Sequence, residues 1–115
     1  MTIAREHYVI NVDELPAGEH ASRFDGHQHG AHLSLFLSHN RPGTGPKLHR
    51  HPYEETFIVE RGDVLFTVGE SMIEASAGDI VVVPAGAPHK FVSRSAKHRQ
   101  ISIHPAARMQ TEWLE

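Results

Sequence analysis

The chain has 115 residues, 39% of them hydrophobic and 22% charged, with a formal charge of −3 when histidine is neutral. That composition fits one ordinary globular domain rather than two, and the small negative charge argues against a general nucleic-acid binder, which would carry a basic face. Cysteine is absent, which excludes disulfides, thiolate metal sites and cysteine nucleophiles and fits a reducing cytoplasm. In chain order, the opening MTIAREHYVINVDELP lacks the apolar core of a signal peptide. Within it Tyr8–Val12 reads as a first strand, ended by a turn at residues 15–18. Residues 18–30 are polar and read as a loop. Leu33, Leu35 and Leu37 alternate with Ser34, Phe36 and Ser38, the period of a strand with one buried face. The Pro/Gly-rich stretch at residues 41–46 is a strong breaker.

Further strands are expected over Thr56–Glu60, Val64–Val68 and Ser71–Ala75, with Gly69 and Glu70 as a two-residue hairpin turn between the last two. Ile80–Val83 is a short, fully apolar strand, and as the longest aliphatic run it falls far short of a membrane span. Pro84–Pro88 stops it, and His89–Ser93 and Gln100–His104 follow. Only the tail, Ala106–Leu114, has helical character. Short strands at a spacing of about 8–12 residues predict an all-β sandwich or barrel. The pattern alone does not separate the two.

Histidine is the outlier: 11 residues, as many as Lys and Arg together. Near neutral pH these rings are largely uncharged and can act as ligands. In GTGPKLHRHPYEETFIVERG, residues 43–62, His49 and His51 are two apart and share a face of an extended chain. Glu55 has the same parity, whereas Glu54 has the opposite one and points away. Two histidines and a carboxylate match the facial arrangement favoured by non-haem Fe(II) and shared by other divalent metals, with coordination positions left open. A strand-opening His89, placed by the turn at Pro84 and Gly86, would supply a fourth ligand. His27 and His29 show the same spacing without a carboxylate at matching distance, and read as a solvated loop.

The two segments together resemble the cupin family. The first cupin motif is met at Gly43, His49, His51, Glu55 and Gly62. The second is met at Gly78, Pro84, Gly86 and His89, with Ser93 standing where the family has asparagine. The resemblance implies a single cupin domain over residues 1–115, folded as a double-stranded β-helix, or jelly-roll barrel, with a short helical or irregular C-terminal tail. It also implies a divalent metal (Fe, Mn, Ni, Co, Cu or Zn) held by His49, His51, Glu55 and His89, and a homodimer formed through edge strands. His104, on the last strand, and Tyr53 are candidate acid–base residues. His39 is expected to lean toward the barrel mouth, and Trp113 to cap the barrel or a dimer contact. Phe57, Phe66 and Phe91 are expected in the core.

Two functions are open at this stage. One is a cytoplasmic metal-dependent oxygenase, isomerase or lyase acting on a small organic molecule. The other is a non-catalytic barrel that binds a metal or a small molecule.

Overall fold

Glu55, Phe57 and Val59 are buried and their neighbours Thr56 and Ile58 less so. His89, Phe91 and Ser93 are buried around the less buried Lys90 and Val92. This is the two-residue period of strands with one face inward, and it sets the catalogue of elements. The computed structural model describes His7 and residues 9–115. Among them run β1 (Ala21–Phe24), β2 (Ser34–Ser38), β3 (His49–Arg50), β4 (Glu55–Arg61) and β5 (Asp63–Val68). β6 (Ser71–Ser76), β7 (Ile80–Val83), β8 (His89–Ser93), β9 (Arg99–His104) and β10 (Glu112–Trp113) complete the order.

The strands form two five-stranded sheets, ordered β1-β2-β9-β4-β7 and β10-β3-β8-β5-β6, and every pairing between these strands is antiparallel. From β4 onward the chain passes repeatedly from one sheet to the other, the winding of an all-β jelly roll. The β5–β6 hairpin has the expected turn: Val68 pairs with Ser71, and Gly69 takes a φ of 59°, a value that costs glycine nothing. Between the sheets Phe57, Phe66 and Phe91 meet with ring centroids 5.0–6.0 Å apart. Val59, Val64, Ala75, Val81 and Val83 complete the cluster. Full burial of a phenylalanine contributes about 1.5–3 kcal/mol, so these rings are the main apolar support for whatever lies beside them.

Four expectations are corrected. Tyr8 lies outside the described residues, and residues 9–11 form no strand. Val12–Glu14 is instead a single 3-10 turn in which the Asn11 side chain accepts from the Asp13 amide. The first strand is β1, inside the stretch read as a loop. Its local sequence is unremarkable, and pairing with β2 from Ala21↔Ser38 to Phe24↔Leu35 makes it a strand. In β2 the polar parity turns in: Ser34 and Ser38 are buried while Leu33 is exposed. β9 does the same with Gln100, Ser102 and His104.

The tail, finally, takes the irregular one of the two forms expected for it and not the helical one. Its carbonyls serve distant donors instead of amides four residues on. The Ser34 hydroxyl donates to Ala106 O at 2.8 Å, and the His27 amide donates to Ala107 O at 2.9 Å. The tail ends in β10, paired with β3 through Glu112↔Arg50 and Trp113↔His49. Ile80–Val83 is a strand as expected, but only Val81 and Val83 are buried; Ile80 and Val82 face out.

One close approach positions the site. Gly45 packs so tightly under β8 that a Cβ there would lie 1.8 Å from Phe91 O. Only glycine lets the loop before β3 lie against β8, which brings His49 opposite His89, its cross-strand partner.

Candidate metal centre

His49 lies on β3 and His51 just beyond it, with Arg50 between them turned out to a surface pair with Glu112. Glu55 opens β4 on the face of Phe57, and His89 opens β8 on the face of Phe91. Glu55 and His89 are thus the inward positions next to the core phenylalanines Phe57 and Phe91. One nitrogen or oxygen from each of the four lies within 4.8 Å of the others, and all four residues are buried. The parity argument holds for Glu54, which is exposed.

The hydrogen bonds fix the state of the rings. His49 Nδ1 lies 2.7 Å from Lys47 O, His51 Nδ1 2.7 Å from Gln110 O, and His89 Nδ1 2.9 Å from Ala87 O. A carbonyl only accepts, so each Nδ1 carries the proton. In the neutral rings each Nε2 then presents a lone pair inward. Yet Nε2 of His51 and of His89 each stand 3.0 Å from Glu55 Oε1, and His51 Nε2 is buried without a hydrogen-bond partner. Lone pairs facing a buried carboxylate repel, and burying an uncompensated carboxylate costs several kcal/mol. A cation at the centre removes both problems at once. The donor set of three imidazoles and one carboxylate fits a divalent transition metal.

His104 is held in the opposite tautomer. Its Nε2 lies 3.0 Å from Glu55 Oε2, and an ionised carboxylate only accepts, so this nitrogen donates. Its Nδ1, 2.7 Å from the Tyr53 hydroxyl, therefore accepts, and the Tyr53 oxygen in turn receives the Gln110 amide at 3.3 Å. A continuous chain of donors runs from the tail through Tyr53 and His104 to Glu55. It steadies one carboxylate oxygen and leaves the other facing the histidines. The sequence could not choose which face of β9 turned inward; the structure brings His104 and Tyr53 together at the site.

The electrostatics follow the same geometry. Burial lowers the pKa of His49 to about 4, helped by the neighbouring His89 and His51. Burial also opposes charge on His51, but the Glu55 carboxylate and the Gln110 carbonyl outweigh it and raise that ring. Burial would raise Glu55, but the imidazoles around it, His104 first and then His51 and His89, hold it well below the usual carboxylate range. Burial and the Glu55 charge raise Tyr53, against the Gln110 amide, so it stays a phenol and a donor.

A cavity of about 550 Å³ opens over this centre, within the range typical of small-molecule sites. Phe57 and Phe91 form its floor, and Met109 and Trp113 of the tail form part of its rim. Trp113 packs its ring 5.0 Å from that of His49 and so lines the cavity. His39 is exposed and does not line it, while His20 and Arg23, on neither of which the sequence reading placed a role, do. No local signal marked them; they reach the cavity through the β1–β2 pairing. Ser93, in the position of the motif asparagine, closes its own turn by donating to Ser95 O at 3.0 Å. His27 and His29 lie outside the cluster, with His29 stacked on Phe24.

The tail carries the carbonyl that orients His51, and this can be tested. Deleting residues 110–115 is expected to weaken metal binding about 10–100-fold, the usual cost of losing a partner that orients a ligand. Competition with a chelator measures it. Unchanged affinity would mean that the tail does not set His51.

A fold of two antiparallel sheets with an inward His/His/Glu/His cluster defines a cupin, and a family model for the cupin domain matches residues 36–101. The chain belongs to that family. It is 30% identical over 90 residues to an uncharacterized protein of Streptomyces coelicolor, covering 71% of this chain and 80% of the relative. Among solved structures it is similar to oxalate decarboxylase from Bacillus subtilis at pH 4.6, with a TM-score of 0.78, 15% identity and 95% of this chain covered. It is also similar to a formate complex of the Lactobacillus farciminis oxalate decarboxylase, with a TM-score of 0.76, 20% identity and 89% of this chain covered. The chain spans 33% and 34% of the length of those two proteins, and likeness at this identity concerns the fold. Among the described residues no helix is long and apolar enough to cross a membrane.

Proposed function

We propose that the protein is a metal-dependent enzyme acting on a small organic molecule bound in the cavity, with His49, His51, Glu55 and His89 as metal ligands. The observation that carries this reading is the convergence of three Nε2 lone pairs and one carboxylate oxygen on a single buried point beneath an open cavity. A divalent metal bound there supplies Lewis-acid polarisation of a substrate oxygen, or dioxygen activation where the metal is iron. The protein's own part is to hold the ligands, exclude bulk water with the Phe57 and Phe91 floor, and handle protons through His104 and Tyr53. The chain of donors ending on Glu55 favours catalysis over simple binding, because it places a titratable pair beside the centre. The reaction class is that of an oxygenase, isomerase or lyase. Manganese joins iron as a metal to load, since a structural neighbour is described by its Mn(II) centres.

Elemental analysis of untagged protein purified without chelator should find close to one metal per chain. Reconstitution with Fe(II) or Mn(II) and a screen of small organic acids, phenols and diketones, followed by oxygen electrode and product analysis, then separates the reaction classes. Metal without turnover in any of them would leave the binding module as the better reading; absence of metal would overturn the centre itself.

The outward parity of the first sheet supports a homodimer. Leu35 pairs with Ile103 and Leu37 with Ile101, which also faces Ile58; Ile58 pairs with Ile80. These apolar side chains share one outer face, and Ile80 and Val82 on it are exposed. A contiguous apolar face of this kind marks an interaction surface. Sedimentation should give twice the 12.8 kDa chain mass, and Ile58→Glu with Ile101→Glu should return it to monomer. A monomeric wild type would discard the dimer.

A further inference from the structure

Of the residues lining the cavity, two carry a permanent charge: Glu55, on the metal centre, and Arg23 of β1. Arg23 is held in place from behind. Its Nε lies 2.9 and 3.0 Å from the two oxygens of Asp25, a side chain that is itself buried. Asp25 thus occupies the inner edge of the guanidinium, and the two terminal nitrogens have no partner among the described residues. Four N–H donors are therefore left on a fork whose orientation is fixed. The guanidinium carbon stands 5.7 Å from the centroid of Phe36. Phe36 also lines the cavity, and its ring lies 5.6 Å from that of His104. One aromatic ring therefore separates the cationic fork from the group that touches Glu55.

We propose that Arg23 is a specificity-determining residue that makes the cavity a site for organic anions, taking a carboxylate on its free fork while the body of the ligand lies over Phe36 and its far end reaches the metal centre. The guanidinium fork matches the two oxygens of a carboxylate in a way no other side chain does. Phe36 supplies an apolar surface for the segment between the two ends. A loaded centre adds positive charge at the far end, so both ends favour an anion over a neutral or cationic molecule. The ligand class is a small organic acid with a second oxygen function, separated from the carboxylate by an apolar stretch about one ring wide. The proposal rests on the reading of the cavity as a small-molecule site, and it refines that reading by naming what enters.

The test uses the chain's single tryptophan. Trp113 lines the cavity, so its fluorescence reports occupancy without any assay of activity. The probes are succinate, glutarate and adipate, each compared with its diamide, titrated into metal-loaded and metal-free protein. In the metal-free protein at least one diacid should bind about tenfold or more tighter than its diamide, the scale expected of a charge-assisted hydrogen-bonded pair. Arg23→Gln should erase that contrast with metal content unchanged. Arg23→Lys serves as the second variant: its ammonium stays with Asp25 and offers no outer fork, so the contrast should fall toward the Gln value while the melting temperature holds. No contrast for any diacid in either form of the wild type, or a contrast that survives Arg23→Gln and Arg23→Lys, would overturn the proposal. Metal stoichiometry is measured before any probe is added. Loss of the metal reading thus shows as absent metal, and loss of the Arg23 reading as absent contrast, because the fork can select a carboxylate with or without metal.

Discussion

His51→Ala should leave the purified protein without stoichiometric metal. The variant removes one of three converging Nε2 donors, and its effect should exceed the roughly 10–100-fold loss that follows removal of a partner behind a ligand. The neighbouring Glu54→Ala is the matched control: Glu54 is exposed and has the wrong parity, so it should keep full metal. Elemental analysis of both variants, prepared side by side, decides the matter. Full occupancy in His51→Ala would sink the ligand assignment, since among the described residues no other buried side chain stands opposite Glu55 Oε1 except His89, already counted.

The second large effect is with acid. Metal takes the unprotonated Nε2, so a proton competes for every ligand histidine. His51 is the first to matter. Burial opposes its charge, but Glu55 and the Gln110 carbonyl raise its pKa above the ordinary value, so competition begins near neutrality. His49, lowered to about 4 chiefly by burial, resists until strong acid, and Glu55, held low by its three histidine partners against the effect of burial, stays ionised throughout. Affinity should therefore fall about tenfold for each pH unit below the pKa of His51, and more steeply as pH approaches that of His49. For the metal-free protein His51 has the reverse sign. A raised folded pKa gives stability that is complete below the unfolded value of about 6.5 and is lost as pH rises through the folded pKa. His49 works the other way, its contribution lost as pH falls from 6.5 toward about 4. Calorimetric titration across pH 4–8 reads both effects, and an affinity that did not change down to pH 4 would exclude histidine ligation.

Much of this was legible from residue order. Spacing and parity located β4 to β9 and all four members of the cluster, because Glu55 and His89 sit two residues from the core phenylalanines Phe57 and Phe91 and His49 and His51 are two apart on one extended segment. The misread segments share a cause. β1 is a strand because β2 pairs with it, and the tail is irregular because Ser34, His27 and His51 take its carbonyls. Such partners lie tens of residues away and leave no local trace. The inward parity of β2 failed for a related reason, and the sequence leaves that of β9 open. A leucine row suggests a buried face, but the interior here borders a cavity and a charged centre, where serine, glutamine and histidine are needed and leucine is not. Arg23 and His20 reach the cavity only through that long-range pairing.

The three histidines of the cluster differ in what anchors them. His49 and His89 each hang from a carbonyl two residues back in their own segment, Lys47 and Ala87. His51 hangs from Gln110, in the tail. Two rings are thus locked by the short stretches that also carry the turns and strands, and drift in those stretches breaks the fold. The third takes its aim from the tail, a segment outside the apolar core. Substitutions at residues 109–111 could tilt one imidazole, and shift the preference among divalent ions, with every ligand and every core residue left as it is. The centre is in that sense two parts fixed and one part adjustable.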